Sequence, residues 1–138
     1  MIFIIPFLVL LFQVAHCGPL AEPRTFCDNG IADDLPPVES ECRQVIDAFN
    51  HHDSTGYITV EGNTSLVISR GRCTGGLTNV SGSTYAVNAD ALTIIMKNYI
   101  FDRCILNKQW GFYATNKYTI QLVSVLFEDY FEDGEQEP

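Results

Sequence analysis

The sequence predicts an α+β fold: two helices packed on one face of a curved antiparallel sheet of about five strands, stapled by disulfides. Three observations predict it. Segments 38–49 and 92–100 each carry an apolar stripe at helical spacing. Short β-rich runs separated by Gly, Ser and Asn turns lie between and after them. An even set of cysteines remains once an apolar leader is set aside.

The leader comes first. Residues 1–13 are almost wholly apolar, and Ala15-His16-Cys17 places small residues at −3 and −1 of a cut after Cys17. That is the shape of a secretory signal peptide over 1–17. The apolar run is about a dozen residues, against roughly 20 for a spanning helix, so no stable membrane span is expected. Of the 5 cysteines, cleavage removes Cys17 and leaves Cys27, Cys42, Cys73 and Cys104. Such a set in a small domain reads as two disulfides and an extracellular location.

Residues 18–36 are rich in Pro, Asp and Gly and read as an extended arm held near Cys27. The domain proper is expected over 37–127. Asp34-Leu35-Pro36-Pro37 predicts a helix start, because a proline in the first turn lacks an N–H that would have no partner there anyway. Glu39 and Glu41 sit where the helix dipole favours negative charge. Val38, Cys42, Val45, Ile46 and Phe49 form the inward stripe, and the helix should end near Asn50. Strands follow at Tyr57-Ile58-Thr59-Val60 and at Leu66-Val67-Ile68, the latter running on towards Cys73. Gly71, Gly75 and Gly76 suggest a bend or bulge around that cysteine. Leu77 and Val80 continue the strand. Ser81-Gly82-Ser83 turns the chain into Thr84-Tyr85-Ala86-Val87.

Asn88 is a good N-cap for the second helix, whose apolar face is Leu92, Ile95, Met96, Tyr99 and Ile100. Arg103 lies at its C-terminal end. Residues 109–114 form a strand and Asn116-Lys117 a turn. Residues 118–127 are expected to be the longest and most central strand. The remainder, 128–138, is an acidic tail expected to be disordered.

The net charge of −9 sits mainly in the flanks. Between Val38 and Phe127 the acids and bases balance, while Glu128, Asp129, Glu132, Asp133, Glu135 and Glu137 fill the tail. A neutral core with acidic ends lacks the positive surface that phosphate binding needs, so no nucleic-acid partner is expected.

With these elements placed, the chain resembles the secreted fungal effector family named after extracellular protein 2, a necrosis-inducing effector domain. The likeness covers roughly residues 37–114. Glu41-Cys42-Arg43-Gln44-Val45-Ile46 resembles the family's acidic-Cys-x-x-aliphatic opening helix. Ser69-Arg70-Gly71-Arg72-Cys73 resembles its Gly-x-Cys strand, and the run from Val87-Asn88-Ala89 to Ile95 resembles its capped second helix. The family's closing glycine-containing strand carries a cysteine, whereas Gly111-Phe112-Tyr113-Ala114-Thr115 has none, and the remaining cysteine here is Cys104. Four cysteines allow three connectivities. The pairing favoured beside this resemblance is Cys42–Cys73, tying the first helix to the sheet, with Cys27–Cys104 pinning the arm to the second helix. The resemblance implies a non-enzymatic virulence or necrosis-inducing factor that binds a host or competitor protein or cell-surface target, as a monomer.

His51-His52-Asp53 lacks further ligands at any metal-site spacing, and loop solvation is the better reading. No cofactor is expected. Glu61, Arg70, Arg72 and His51 or His52 are the residue types a small secreted ribonuclease would need, but both histidines fall in one loop, where opposed acid and base roles are hard to arrange. Ser69 and Ser83 lack a nucleophile-elbow context. Asn63-Thr64-Ser65 and Asn79-Val80-Ser81 are N-glycosylation sequons. Arg70 and Arg72 form the one compact basic spot and are, with Trp110, the candidate partner contacts. A killer-toxin-like antimicrobial, a ribonuclease-like hydrolase and a protease inhibitor built around Arg72-Cys73 are the rival readings.

Overall fold

The computed structural model describes residues 23–29 and 35–124. The expected leader over 1–17, most of the 18–36 arm and the acidic tail over 128–138 lie outside the described residues. The elements run β1 (Arg24–Asp28), α1 (Glu39–Asn50), β2 (Tyr57–Val60), β3 (Ser65–Arg70), β4 (Cys73–Asn79), β5 (Tyr85–Asn88), α2 (Ala89–Ile95), β6 (Trp110–Ala114) and β7 (Tyr118–Val123). A π-helical stretch, Met96–Phe101, continues α2, and a 3₁₀ turn, Ile105–Asn107, follows it.

The architecture is α+β. An antiparallel sheet of 5 strands has the order β1-β6-β7-β4-β3, and β2 and β5 form a separate antiparallel pair. The strand number matches the expectation, but the membership differs. The predicted arm supplies β1, which pairs with β6 from Arg24↔Ala114 to Asp28↔Trp110. The runs at Tyr57 and Tyr85 pair with each other instead of joining the main sheet.

The helical layer covers one face of that sheet. Cys42, Val45 and Phe49 of α1, Leu77 of β4, Ile120 and Leu122 of β7, and Leu92, Met96 and Ile100 share one buried cluster with Ile58 and Val87 of the small sheet. Because side chains alternate along a strand, the residues between these point to the opposite face, where Ser65 meets Thr78 and Ser69 meets Thr74 through hydroxyl contacts of 2.8 Å each. Asn88 caps α2 as predicted, its side chain accepting from the Ala91 N–H at 3.0 Å.

Several expectations are corrected. Pro36 and Pro37 precede α1 instead of occupying its first turn: the helix begins at Glu39, with Val38 at the N-cap offering no side-chain hydrogen bond. Val38 is extended, at φ −89° and ψ 124°, so the helical turn opens only at the residue after it. Gly75 and Gly76 form neither bulge nor bend; they pair in register with Ile68 and Val67 inside β4. Gly75 is there for space. A Cβ on it would lie 2.5 Å from Val45 Cγ1 and 2.8 Å from Phe49 Cε2, so its absence lets α1 sit directly on the strand. Among the described residues β4, with 7 residues, is longer than β7, with 6, though β7 is the central strand as expected.

The second helix also departs from plain α periodicity. Asp102 donates to the Lys97 carbonyl at 2.9 Å, one residue further back than an α-helix allows. The wider turn brings Met96, Ile100, Phe101 and Cys104 all inward. Tyr99, expected on the apolar face, is 38% exposed, and lies between the Tyr113 ring at 5.4 Å and the Arg103 guanidinium at 4.9 Å.

Candidate functional site

The best-defined exposed feature is the tip of the β3–β4 hairpin. Gly71 and Arg72 are its two loop residues, since Arg70 pairs with Cys73. Gly71 has φ +55°, and Arg72 is absent from the positive-φ residues; glycine first in a two-residue loop is the type II′ pattern, whose twist matches that of the strands. The tip is held from two sides. The Cys42–Cys73 disulfide joins the first turn of α1 to the hairpin, with Cα atoms 5.1 Å apart. One residue earlier, the Glu41 carboxylate accepts the Arg72 backbone N–H at 2.7 Å. A Cβ on Gly71 would collide with that carboxylate, so the glycine serves both the turn and the contact. Arg70 and Arg72 are exposed on this fixed frame.

Beside the tip runs an open groove of about 490 Å³ between the C-terminal end of α1 and β3. His51, His52, Val67, Ile68, Ser69 and Arg70 line it. His51 caps α1 and lies 3.3 Å from the Asp47 carboxylate. Asp53 turns away into its own loop. Its carboxylate accepts the Thr55 N–H at 2.8 Å, and this hydrogen bond, with the Thr55 hydroxyl, holds its pKa below the usual value. No group of His, Cys, Asp and Glu side chains that could hold a metal occurs among the described residues.

The structure therefore brings His51, His52 and Arg70 to one groove, whereas Glu61 and Arg72 are not among its lining residues. Trp110 is not brought to the arginines. It sits on β6, three strands from β3 across the sheet order, or about 14 Å at the usual strand spacing. Its indole is half-buried, and its Nε1 is buried without a hydrogen-bond partner among the described residues. Trp110 and Arg70–Arg72 thus do not form one contact patch.

The two sequons differ sharply. Asn63 is exposed, in the left-handed region at φ 57° of the β2–β3 turn, a conformation asparagine tolerates. Asn79 is 1% exposed. Its Nδ2 donates to the Val60 and Ser83 carbonyls at 3.0 and 2.7 Å, and its Oδ1 accepts from the Ser81 N–H and hydroxyl at 3.0 and 2.8 Å. Both hydrogens of the nitrogen that would carry a glycan are in use, so in the folded chain Asn79 is a structural residue and not an accessible sequon like Asn63. The residue instead ties the end of β4 to β2 and to the loop before β5. The tripeptide alone could not signal this, because burial depends on the pairing of distant strands.

The second disulfide, Cys27–Cys104, joins β1 to the turn after the π-helical stretch, with Cα atoms 5.3 Å apart. Both pairings are those favoured beside the family resemblance. Among the described residues no helix is long and apolar enough to cross a membrane. No protein-family model matches the chain, and no curated protein matches its sequence.

Proposed function

We propose that the protein is a secreted, non-enzymatic, effector-like binding protein that engages a host or competitor target through the basic hairpin tip. The observation that carries this reading is the preorganised presentation of Arg70 and Arg72. Two exposed guanidinium groups, one on the last residue of β3 and one on the two-residue turn, stand on a hairpin end that a disulfide and the Glu41 carboxylate hold in place. Such fixing lowers the ordering cost of association, and arginine is a favoured interface anchor. Two disulfides suit an oxidising compartment, and the apolar leader and the likeness to the necrosis-inducing effector family support secretion and a virulence role. Exposed Asn63 is the one sequon whose position suits a glycan.

The test uses the intact secreted protein, fluorescently labelled, on plant tissue and on microbial cells. Saturable binding that falls at least tenfold in the Arg70→Glu/Arg72→Glu variant, with an unchanged melting curve, is the expected result. Absence of binding and of tissue response on every cell type overturns the reading.

A hydrolase reading draws on the gathering of His51, His52 and Arg70 in one groove. RNA cleavage by the purified protein that disappears in His52→Ala would carry it. The inhibitor reading loses support, because protease clefts take extended segments whereas Gly71 and Arg72 form a tight turn.

A further inference from the structure

β3 is an edge strand: among the described residues it pairs with β4 alone. In a two-residue hairpin the residues flanking the loop form a hydrogen-bonded pair, and pairs then alternate. Arg70–Cys73, Ile68–Gly75 and Leu66–Leu77 are consequently the bonded pairs, and Ser65, Val67 and Ser69 point their N–H and C=O groups out of the ladder. One contact bears directly on this geometry. The Ser69 carbonyl accepts Arg70 Nη1 at 2.7 Å, so a guanidinium lies at the outward edge. Val67 is 51% exposed, and Val67 and Ser69 line the same groove as His51 and His52. Apart from the exposed carboxylate of Asp47, which lies against His51, the ionisable groups at this groove are basic.

From this we infer that the groove along β3 docks an extended acidic peptide of a partner protein, which adds as a further strand to the free edge. The outward N–H and C=O of Val67 and the outward N–H of Ser69 read its main chain, and Arg70, anchored on the Ser69 carbonyl, pairs its carboxylates together with the two histidines. A row of alternating backbone donors and acceptors selects a peptide strand. A single arginine is too sparse a charge for a phosphate backbone. The inference rests on the binding reading above and specifies the partner's chemistry.

The test titrates the ¹⁵N-labelled full-length secreted protein with a synthetic peptide alternating glutamate and valine, and with its lysine–valine counterpart. Shifts confined to the amides of β3 and the His51–His52 loop, with slowed exchange of the Val67 and Ser69 N–H groups, are expected for the acidic peptide alone. Arg70→Glu should weaken binding about tenfold or more, since it replaces attraction by like-charge repulsion. Val67→Pro removes an outward N–H that β4 does not use, so it should spare the melting curve while abolishing the slowed exchange. Val67→Pro that loses fold stability is read through Arg70→Glu, which touches no ladder bond. Equal binding of both peptides, shifts elsewhere, or wild-type affinity in Arg70→Glu overturns the inference. If peptide docking fails while cell binding still depends on Arg72, the β3 site is wrong and the function stands. If both fail, both fall.

Discussion

The helical layer meets the sheet in two halves that use the same devices and tolerate different losses. In one half α1 lies on β4 and β3, with Gly75 beneath it and Cys42–Cys73 tying it down. In the other half the π-helical stretch lies on β6, with Gly111 beneath it and Cys27–Cys104 binding β1 alongside. A Cβ on Gly111 would collide with Ile100, as one on Gly75 would crowd Val45. The difference is in what each disulfide holds. Cys42 and Cys73 are wholly buried in the core. The residues of β1 are nearly all exposed, Phe26 at 52% included, so little apolar burial keeps that strand in place. One disulfide locks the interior; the other retains an edge.

The largest effect should come from breaking that symmetry. Chain entropy ranks the disulfides by loop length. Separations of 77 and 31 residues give about 4.5 and about 3.7 kcal/mol respectively. The packing reverses this order. Cys42→Ala/Cys73→Ala removes buried sulfur as well as the cross-link, so denaturant unfolding should show a loss above the entropic value. Cys27→Ala/Cys104→Ala should cost less than its entropic value, because β1 can detach while the rest stays folded. Hydrogen exchange should then show lost protection along β1 and its partner β6 alone. A larger global loss in the Cys27→Ala/Cys104→Ala variant would make β1 part of the cooperative core.

Asn79 provides the next test, in the α1 half. Asn79→Ala strands the Val60 carbonyl and the Ser81 N–H, while the Ser83 carbonyl keeps the Ser81 hydroxyl at 3.0 Å, and should cost about 2 kcal/mol. Asn63→Gln should cost about 1 kcal/mol, because glutamine tolerates the left-handed region less well than asparagine, and, in a eukaryotic secretion host, remove the whole glycan mass. Residual glycan in Asn63→Gln would mean that Asn79 is modified before the fold closes over it.

The two glycines can be compared directly. Gly75→Ala and Gly111→Ala should each lose about 2 kcal/mol by overpacking. The effects should separate in thermal melts if the π-helical stretch yields more easily than α1. Asn88→Ala should cost about 1 kcal/mol through the lost cap of α2, a loss measurable by urea denaturation.

The α1 half was largely legible in the sequence, and the other half was not, for physical reasons. The stripe of Cys42, Val45 and Phe49 follows simple 3.6-residue spacing, and Asn88 is a local cap signal. β1 is a strand only because β6 pairs with it, and Arg24-Thr25-Phe26-Cys27-Asp28 carries no apolar alternation of its own. The π turn spoils the spacing from Met96 to Cys104, so regular helical spacing points Tyr99 inward and passes over Phe101, which is buried. Gly75 and Gly76 advertise a turn locally, and only the approach of α1 makes them strand residues. Of the candidate site, Arg70 and Arg72 were readable as a basic spot. Their placement beside His51 and His52 arises from α1 ending against β3, a contact that no local pattern encodes.

The smallest effect concerns alkaline pH. It separates the tyrosines of the two regions. Burial raises the pKa of Tyr118, with the Tyr85 ring 5.2 Å away contributing next. Burial likewise raises that of Tyr113, with Tyr99 contributing next. In each case the folded state holds its proton more tightly than the unfolded chain. The associated stability is therefore fully present below the ordinary tyrosine value of 10.0 and is lost as pH rises through the folded pKa. Absorbance titration should show Tyr118 and Tyr113 ionising above the ordinary tyrosine range. Tyr118→Phe should flatten the alkaline decline in melting temperature without changing it at neutral pH. If the decline were unaltered, Tyr113, beneath the π-helical stretch, would be the group that couples the fold to base.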